Sequence, residues 1–95
     1  MEPEFEWDPV KERHNRRKHG IDFAEAATVF EDPLALSMAD TIHSDGEDRY
    51  IVLGRSEKDR LLVVVHADRG ERVRIISARR ATPRERRAYE HGPQR

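Results

Sequence analysis

The side chains best suited to chemistry in this sequence are arginines. Fifteen of the 18 basic residues are Arg, and the guanidinium fork is the group that grips phosphate oxygens bidentately. Their distribution is uneven. Residues 1–68 carry a net charge of -7 and residues 69–95 a net charge of +6, although the whole chain sums to -1. Arg72 and Arg74 fall on one side of the last predicted strand, with Val73 and Ile75 on the other. Arg79 and Arg80 follow where strand gives way to helix, and Arg84, Arg86 and Arg87 lie beyond. Two sets of arginines therefore flank one junction, a pattern that suits RNA phosphate as well as it suits a solvated surface.

Other catalytic designs fit poorly. His14 and His19 are five residues apart on a predicted helix, so they cannot converge on one ion as an i, i+4 pair would. No metal or other cofactor is expected. The serines lack a nucleophile-elbow glycine pattern, and the five glycines are isolated rather than grouped into a phosphate loop. Cysteine is absent, which excludes disulfides and thiolate chemistry.

Cleavage of RNA without a metal needs only what this chain has. The substrate's own 2′-hydroxyl attacks the adjacent phosphate, and the protein must accept a proton, hold the developing phosphorane with fixed cations, and protonate the leaving 5′ oxygen. Glu47, His19, Lys18 and Tyr89 are candidates for proton transfer or ordering, and Arg49, Arg55, Arg79 and Arg80 for the phosphate clamp. Arg72, Arg74 and Arg86 extend the expected RNA-binding set. Each has a plainer alternative: Glu47 as a solvated loop residue, His19 as a favourable charge at a helix C-terminus, Arg55 as the partner of Asp59 or Glu57. Trp7 and Tyr50 read as core aromatics, and His66, after the apolar run Leu61 to Val65, as a hydrogen-bonded structural histidine.

These residues must be positioned by a small α+β domain, and 95 residues suffice for one. Phe5 to Trp7 alternates like a short strand. Asp8-Pro9 caps a helix that should stop at Gly20, and Asp22 caps a second helix ending at Pro33. The period then changes. Leu34 to Ala39, Tyr50 to Arg55, Leu61 to Ala67 and Arg72 to Ala78 read as four strands joined by short connectors, which favours an antiparallel meander. Thr82-Pro83-Arg84-Glu85 has the capping-box arrangement and opens a last helix reaching about Glu90. Helices are expected on one face of a curved antiparallel sheet, with residues 91–95 as a disordered tail.

Five short words resemble one family. They are Phe5-Glu6-Trp7-Asp8; Asn15 through Ala26, containing Lys18-His19-Gly20; Val29 through Pro33; Glu47-Asp48-Arg49-Tyr50 with Leu53-Gly54-Arg55; and Arg74 through Thr82 with Glu85-Arg86 and Tyr89. In this order, over residues 5–90, they are similar to the BrnT toxins of bacterial type II toxin-antitoxin systems. The resemblance implies a RelE-like fold, a ribonuclease that cleaves mRNA and arrests growth, and a BrnA-type antitoxin whose ribbon-helix-helix portion dimerises and binds the operon's promoter. DNA would then be met only through the antitoxin. The resemblance also implies functional roles for Arg55 and Arg79, while Lys18, His19, Glu47, Arg49, Arg80 and Tyr89 match motif positions of less defined role. Two rivals stay open, a non-catalytic co-repressor module and an RNA binder that grips without cleaving. An acidic N-terminus without a signal-peptide charge pattern leads to the expectation of a cytoplasmic protein that does not engage a membrane.

Overall fold

A computed structural model of the chain describes residues 3–43 and 46–92. Its elements follow the order β1 (Glu4–Glu6), α1 (Pro9–His19), α2 (Phe23–Thr28) continued by a 3-10 turn (Val29–Glu31), β2 (Leu36–Ala39), β3 (Arg49–Arg55), β4 (Leu61–Arg69), β5 (Arg72–Arg80) and α3 (Pro83–His91). Local chemistry sets the helix ends. The Asp8 carboxylate accepts from the Val10 and Lys11 amides and Pro9 fills the first turn, while Gly20 closes α1 at φ 73°. Asp22 accepts from the Glu25 amide, and Thr82 and Glu85 cap α3 reciprocally.

The five strands form one sheet in the order β1-β5-β4-β3-β2. β2 to β5 are the expected antiparallel meander, but β1 joins β5 in parallel, so the sheet is mixed. The two-helix connection carries the chain from β1 to β2 at the opposite edge, which runs antiparallel to β1, so three antiparallel steps through the meander bring β5 back beside β1 in the same direction. One face of the sheet carries Val52, Leu62, Val64, Ile75 and Ala78, which pack with Ile21, Phe23, Ala26 and Val29 into the core. Gly54 sits on this face because a Cβ there would lie 2.8 Å from a Val29 methyl and 3.0 Å from Ala35 Cβ.

The expectation that all helices share one face fails for α3. Alternation along the strands turns Leu36, Met38, Ile51, Leu53, Val63 and Val65 to the other face, where Glu85 and Ala88 of α3 help to line a cavity of about 280 Å³ with them. Thr82-Pro83 starts the helix immediately after β5, so α3 turns back across the end of that open face. The helix runs through His91, one residue into the expected tail, and residues 93–95 lie outside the described residues.

Candidate active site

A bulge decides which arginines share a face. β4 and β5 pair Val65 with Ser77 but His66 with Ile75, leaving Ile76 as the extra residue. Strict alternation would set Arg72 and Arg74 opposite Arg79. The extra residue restores them to the open face, beside Ala67 and Arg69 of β4.

That face has two halves. At one end Arg72 pairs with Glu4 and Glu6 (3.4 and 3.5 Å), Arg74 with Glu6 (2.9 Å) and Arg69 with Glu47 (3.0 Å). These cations are matched by acids from β1 and the β2–β3 connector. At the other end the apolar trough closes against α3, whose Glu85 and Tyr89 are one turn apart and each engage a different arginine.

Glu85 takes both terminal nitrogens of Arg79, at 2.8 and 2.9 Å. Arg79, with the Thr82 cap assisting, holds the Glu85 carboxyl down at about 2 against the opposing effect of burial. Arg79 also donates to the Arg80 carbonyl at 3.3 Å. Three of its five N–H donors are thus used, and the Nε edge of the fork remains for a bidentate oxyanion. The side chain is 41% exposed and lines the trough.

Arg55 ends β3 two residues beyond Leu53, on the same face. Its guanidinium carbon lies 5.6 Å from the centre of the Tyr89 ring, and an Nη reaches exposed Asp59 at 3.4 Å. Tyr89 is buried and its hydroxyl donates to Asp32 Oδ2 at 2.6 Å. The same oxygen accepts the Arg55 backbone N–H at 2.8 Å, and Oδ1 accepts the Leu34 N–H at 2.9 Å. Burial would raise the Asp32 pKa, but these three hydrogen bonds outweigh it and lower it. Burial first, then Asp32, raise that of Tyr89. The phenol therefore stays protonated and is held by Asp32 beside Arg55.

Of the five expected catalytic residues, three lie at α3, Arg79 against Glu85 in the trough and Arg55 with Tyr89 in a neighbouring depression, and two do not. Glu47 is bound to Arg69 beyond the Arg49 row, about 13 Å along β3 from the Leu53 row at ~3.3 Å per residue. His19 ends α1, in the layer behind the sheet, and lines a shallow depression with Lys11, Lys18 and Ile76. Lys18 goes with it. Arg80 pairs in register with buried Leu62 and so faces away from Arg79, and Arg49 stands at the acid-matched end. Arg86 is exposed on the outer side of α3. Among the described residues no group of three His, Asp or Glu could hold a metal ion.

The plainer readings hold for several residues. His66 is buried between Phe30 and Tyr50, with Nδ1 3.1 Å from Asp68, and burial lowers its pKa despite that carboxylate. Trp7 packs on the core edge-on to Phe23, and Tyr50 stacks on His66. The positioning residues Asp32, Glu85 and Asn15 were not in the expected set. Asn15 donates to the Ile21 and Ala78 carbonyls at 2.9 and 2.8 Å and accepts from the Ala78 amide at 3.1 Å, tying α1 to β5 next to Arg79. An Asn amid charged neighbours on a helix, opening the second family word, was its visible signal.

The comparisons agree with this architecture. The family described as "Ribonuclease toxin, BrnT, of type II toxin-antitoxin system" matches residues 7–85. The fold is similar to the 1.1 Å crystal structure of the Brucella abortus ribonuclease toxin, BrnT, with a TM-score of 0.65 over 85% of this chain and 99% of that one, at 23% identity. No curated protein matches the chain. With the family pattern running from Trp7 through the β-meander to Glu85 of α3, the chain belongs to the BrnT family of ribonuclease toxins of type II toxin-antitoxin systems.

Proposed function

We propose that the chain is a metal-independent endoribonuclease that cleaves mRNA and arrests growth in the cytoplasm until a BrnA-type ribbon-helix-helix antitoxin covers it. The observation that carries this reading is that Arg55 and Arg79 share the open face of the sheet and are held by the same side of α3, by Tyr89 and Glu85. Arg79 at the end of the trough and Arg55 in the depression beside Tyr89 are two held cations that suit the charge that develops when O2′ attacks phosphorus and the P–O5′ bond breaks. The products are a 2′,3′-cyclic phosphate and a 5′-hydroxyl, with a net proton transfer from O2′ to O5′. Arg79 presents its Nε edge to the phosphorane, Arg55 supplies the second charge, and Tyr89 and Asp32 position Arg55. Arg86, exposed on α3, extends the backbone contacts. Leu36, Met38, Ile51, Leu53, Val63 and Val65 offer apolar area that RNA phosphate leaves uncovered, and an antitoxin segment would bury it while a carboxylate meets the arginines.

Expression without antitoxin tests this reading. The wild type should stop growth and shorten transcripts, and a folded Arg79→Ala protein should do neither. One observation favours a second reading, an RNA-binding module without cleavage: the carboxylate beside Arg79 is held at about 2 and takes no proton near neutrality. Under that reading transcripts keep their length while the protein stays bound to them.

A further inference from the structure

We infer that the outward stripe of α1, formed by Lys11, His14, Arg17 and Lys18, is a second RNA-backbone contact surface, separate from the Arg55–Arg79 end of the open face. The inference rests on the reading of the chain as RNA-directed. It is carried by what α1 is made of. Of its 11 residues only Asn15 is buried, so the helix contributes almost nothing to the core and is held by its Asp8 cap and the Asn15 bridge to Ile21 and Ala78. Its exposed surface holds five Lys or Arg against one acid, Glu12, which is occupied by Arg16 at 3.1 Å and by the Phe23 amide.

Helix stability does not explain this composition. Basic residues in the last turn, Arg16 to His19, do complement the negative end of the helix dipole. Lys11 sits in the first turn, where a cation opposes the positive end. Spacing of i, i+3, i+6 and i+7 gathers Lys11, His14, Arg17 and Lys18 into an arc of roughly 120°. Shallow depressions between these side chains run to Ile76 at the bulge. At the sheet the cations are mostly paired, Arg60 with Glu25, Arg69 with Glu47, Arg72 and Arg74 with Glu4 and Glu6, Arg79 with Glu85, whereas Arg84, Arg86 and Arg87 of α3 are exposed and in no ion pair among the described residues. On α1, Lys11, Arg17 and Lys18 form no ion pair with any described carboxylate. Lys11 shares the field of the Asp8 cap carboxylate, and Arg17 and Lys18 continue the row of permanent cations on the layer opposite the trough. Lys11 to Lys18 spans about 10 Å of helix, close to three ~3.4 Å nucleotide rises of a stacked strand. The occupant whose charge complements three exposed cations in a row is a phosphodiester backbone.

The test compares the full-length wild type with Lys11→Gln/Arg17→Gln/Lys18→Gln and with the charge-keeping Lys11→Arg/Lys18→Arg. Binding is read on a 20-nucleotide RNA protected by 2′-O-methyl groups, over a salt series, and cleavage on its unprotected form. Loss of three phosphate contacts should make the log K against log salt slope shallower by about 2, and lower the affinity roughly tenfold or more at low salt. The KM for cleavage should rise while kcat stays within about twofold, and the arginine variant should restore the wild-type slope. Unchanged slope and affinity in the Gln variant, with Arg79→Ala still slowing cleavage, would overturn this surface and leave the nuclease reading standing. A Gln variant that keeps RNA affinity but loses the antitoxin would assign the stripe to an acidic protein and equally overturn it. A wild type that neither binds nor cleaves would remove both readings.

Discussion

Arg79 illustrates how one side chain can be fully held and still available. Glu85 occupies the terminal edge of its fork and leaves the Nε edge, so the pair fixes the cation's direction without consuming it. Removing it should cost about 10²–10³ in cleavage rate, the size typical for one preorganised oxyanion donor, as single-turnover kinetics on RNA would measure. Glu85→Gln keeps a capping partner for α3 but removes the charge that aims Arg79. It should therefore lower kcat more than it lowers thermal stability. Tyr89→Phe leaves the ring under Arg55 and deletes one hydrogen bond to Asp32. The expected loss is about 1 kcal/mol of stability in a denaturant titration, with cleavage reduced only a few fold. Abolished cleavage in a folded Tyr89→Phe protein would instead make the phenol a proton donor.

The elements hold the site together through a few polar pins. Asn15 satisfies both backbone groups of Ala78, so Asn15→Ala leaves a buried N–H and carbonyl unpartnered next to Arg79 and should cost about 2–4 kcal/mol in urea unfolding. Gly54→Ala would push a methyl against Val29 and Ala35, and about 1–3 kcal/mol is the expected cost. The helices and four strands were legible because caps, prolines and alternation are local signals: Asp8-Pro9, Gly20, Asp22 and Thr82-Pro83 each mark an end that the structure has. The parallel pairing of β1, the bulge at Ile76 and the position of α3 across the open face were not legible. Each depends on which residues meet across the sheet, and alternation read along β5 alone assigns Arg72 and Arg74 to the wrong face relative to Arg79. The site followed the same rule. Arg55, Arg79 and Tyr89 could be named from residue type and resemblance, but Asp32 and Glu85, visible only as a family word and a capping box, act on Tyr89 and Arg79 over 57 and six residues of sequence, contacts that no local pattern shows.

Across the whole molecule, folding redistributes the charge that the linear sequence separates. The acidic N-terminal strand lies beside β5, so Glu4 and Glu6 neutralise part of the cationic C-terminal third, and the exposed positive charge is left near α3 and along α1. The same pairing sets the acid response. Glu6, Glu25, Asp32 and Glu85 all have lowered pKa values in the fold, so their contribution is present above their unfolded range and is lost as pH falls. For Glu85 that window runs from its ordinary 4.5 down to about 2. His66 is kept neutral by burial, so below its ordinary 6.5 the unfolded chain takes up the proton more readily and stability also falls. Tm should therefore decline steadily from about pH 6.5 into acid, first through His66 and then through the carboxylates, with His66→Phe flattening the upper part of the curve.

The most direct test of the central claim is RNA cleavage by purified, antitoxin-free protein in excess EDTA, with Arg79→Ala beside it and the product ends determined. Cutting by the wild type that leaves a 2′,3′-cyclic phosphate or its hydrolysed form, and cutting slowed by about 10²–10³ in a folded Arg79→Ala protein, is the predicted result. Equal cutting by both proteins, or intact RNA with the wild type even when translating ribosomes are added, would contradict it.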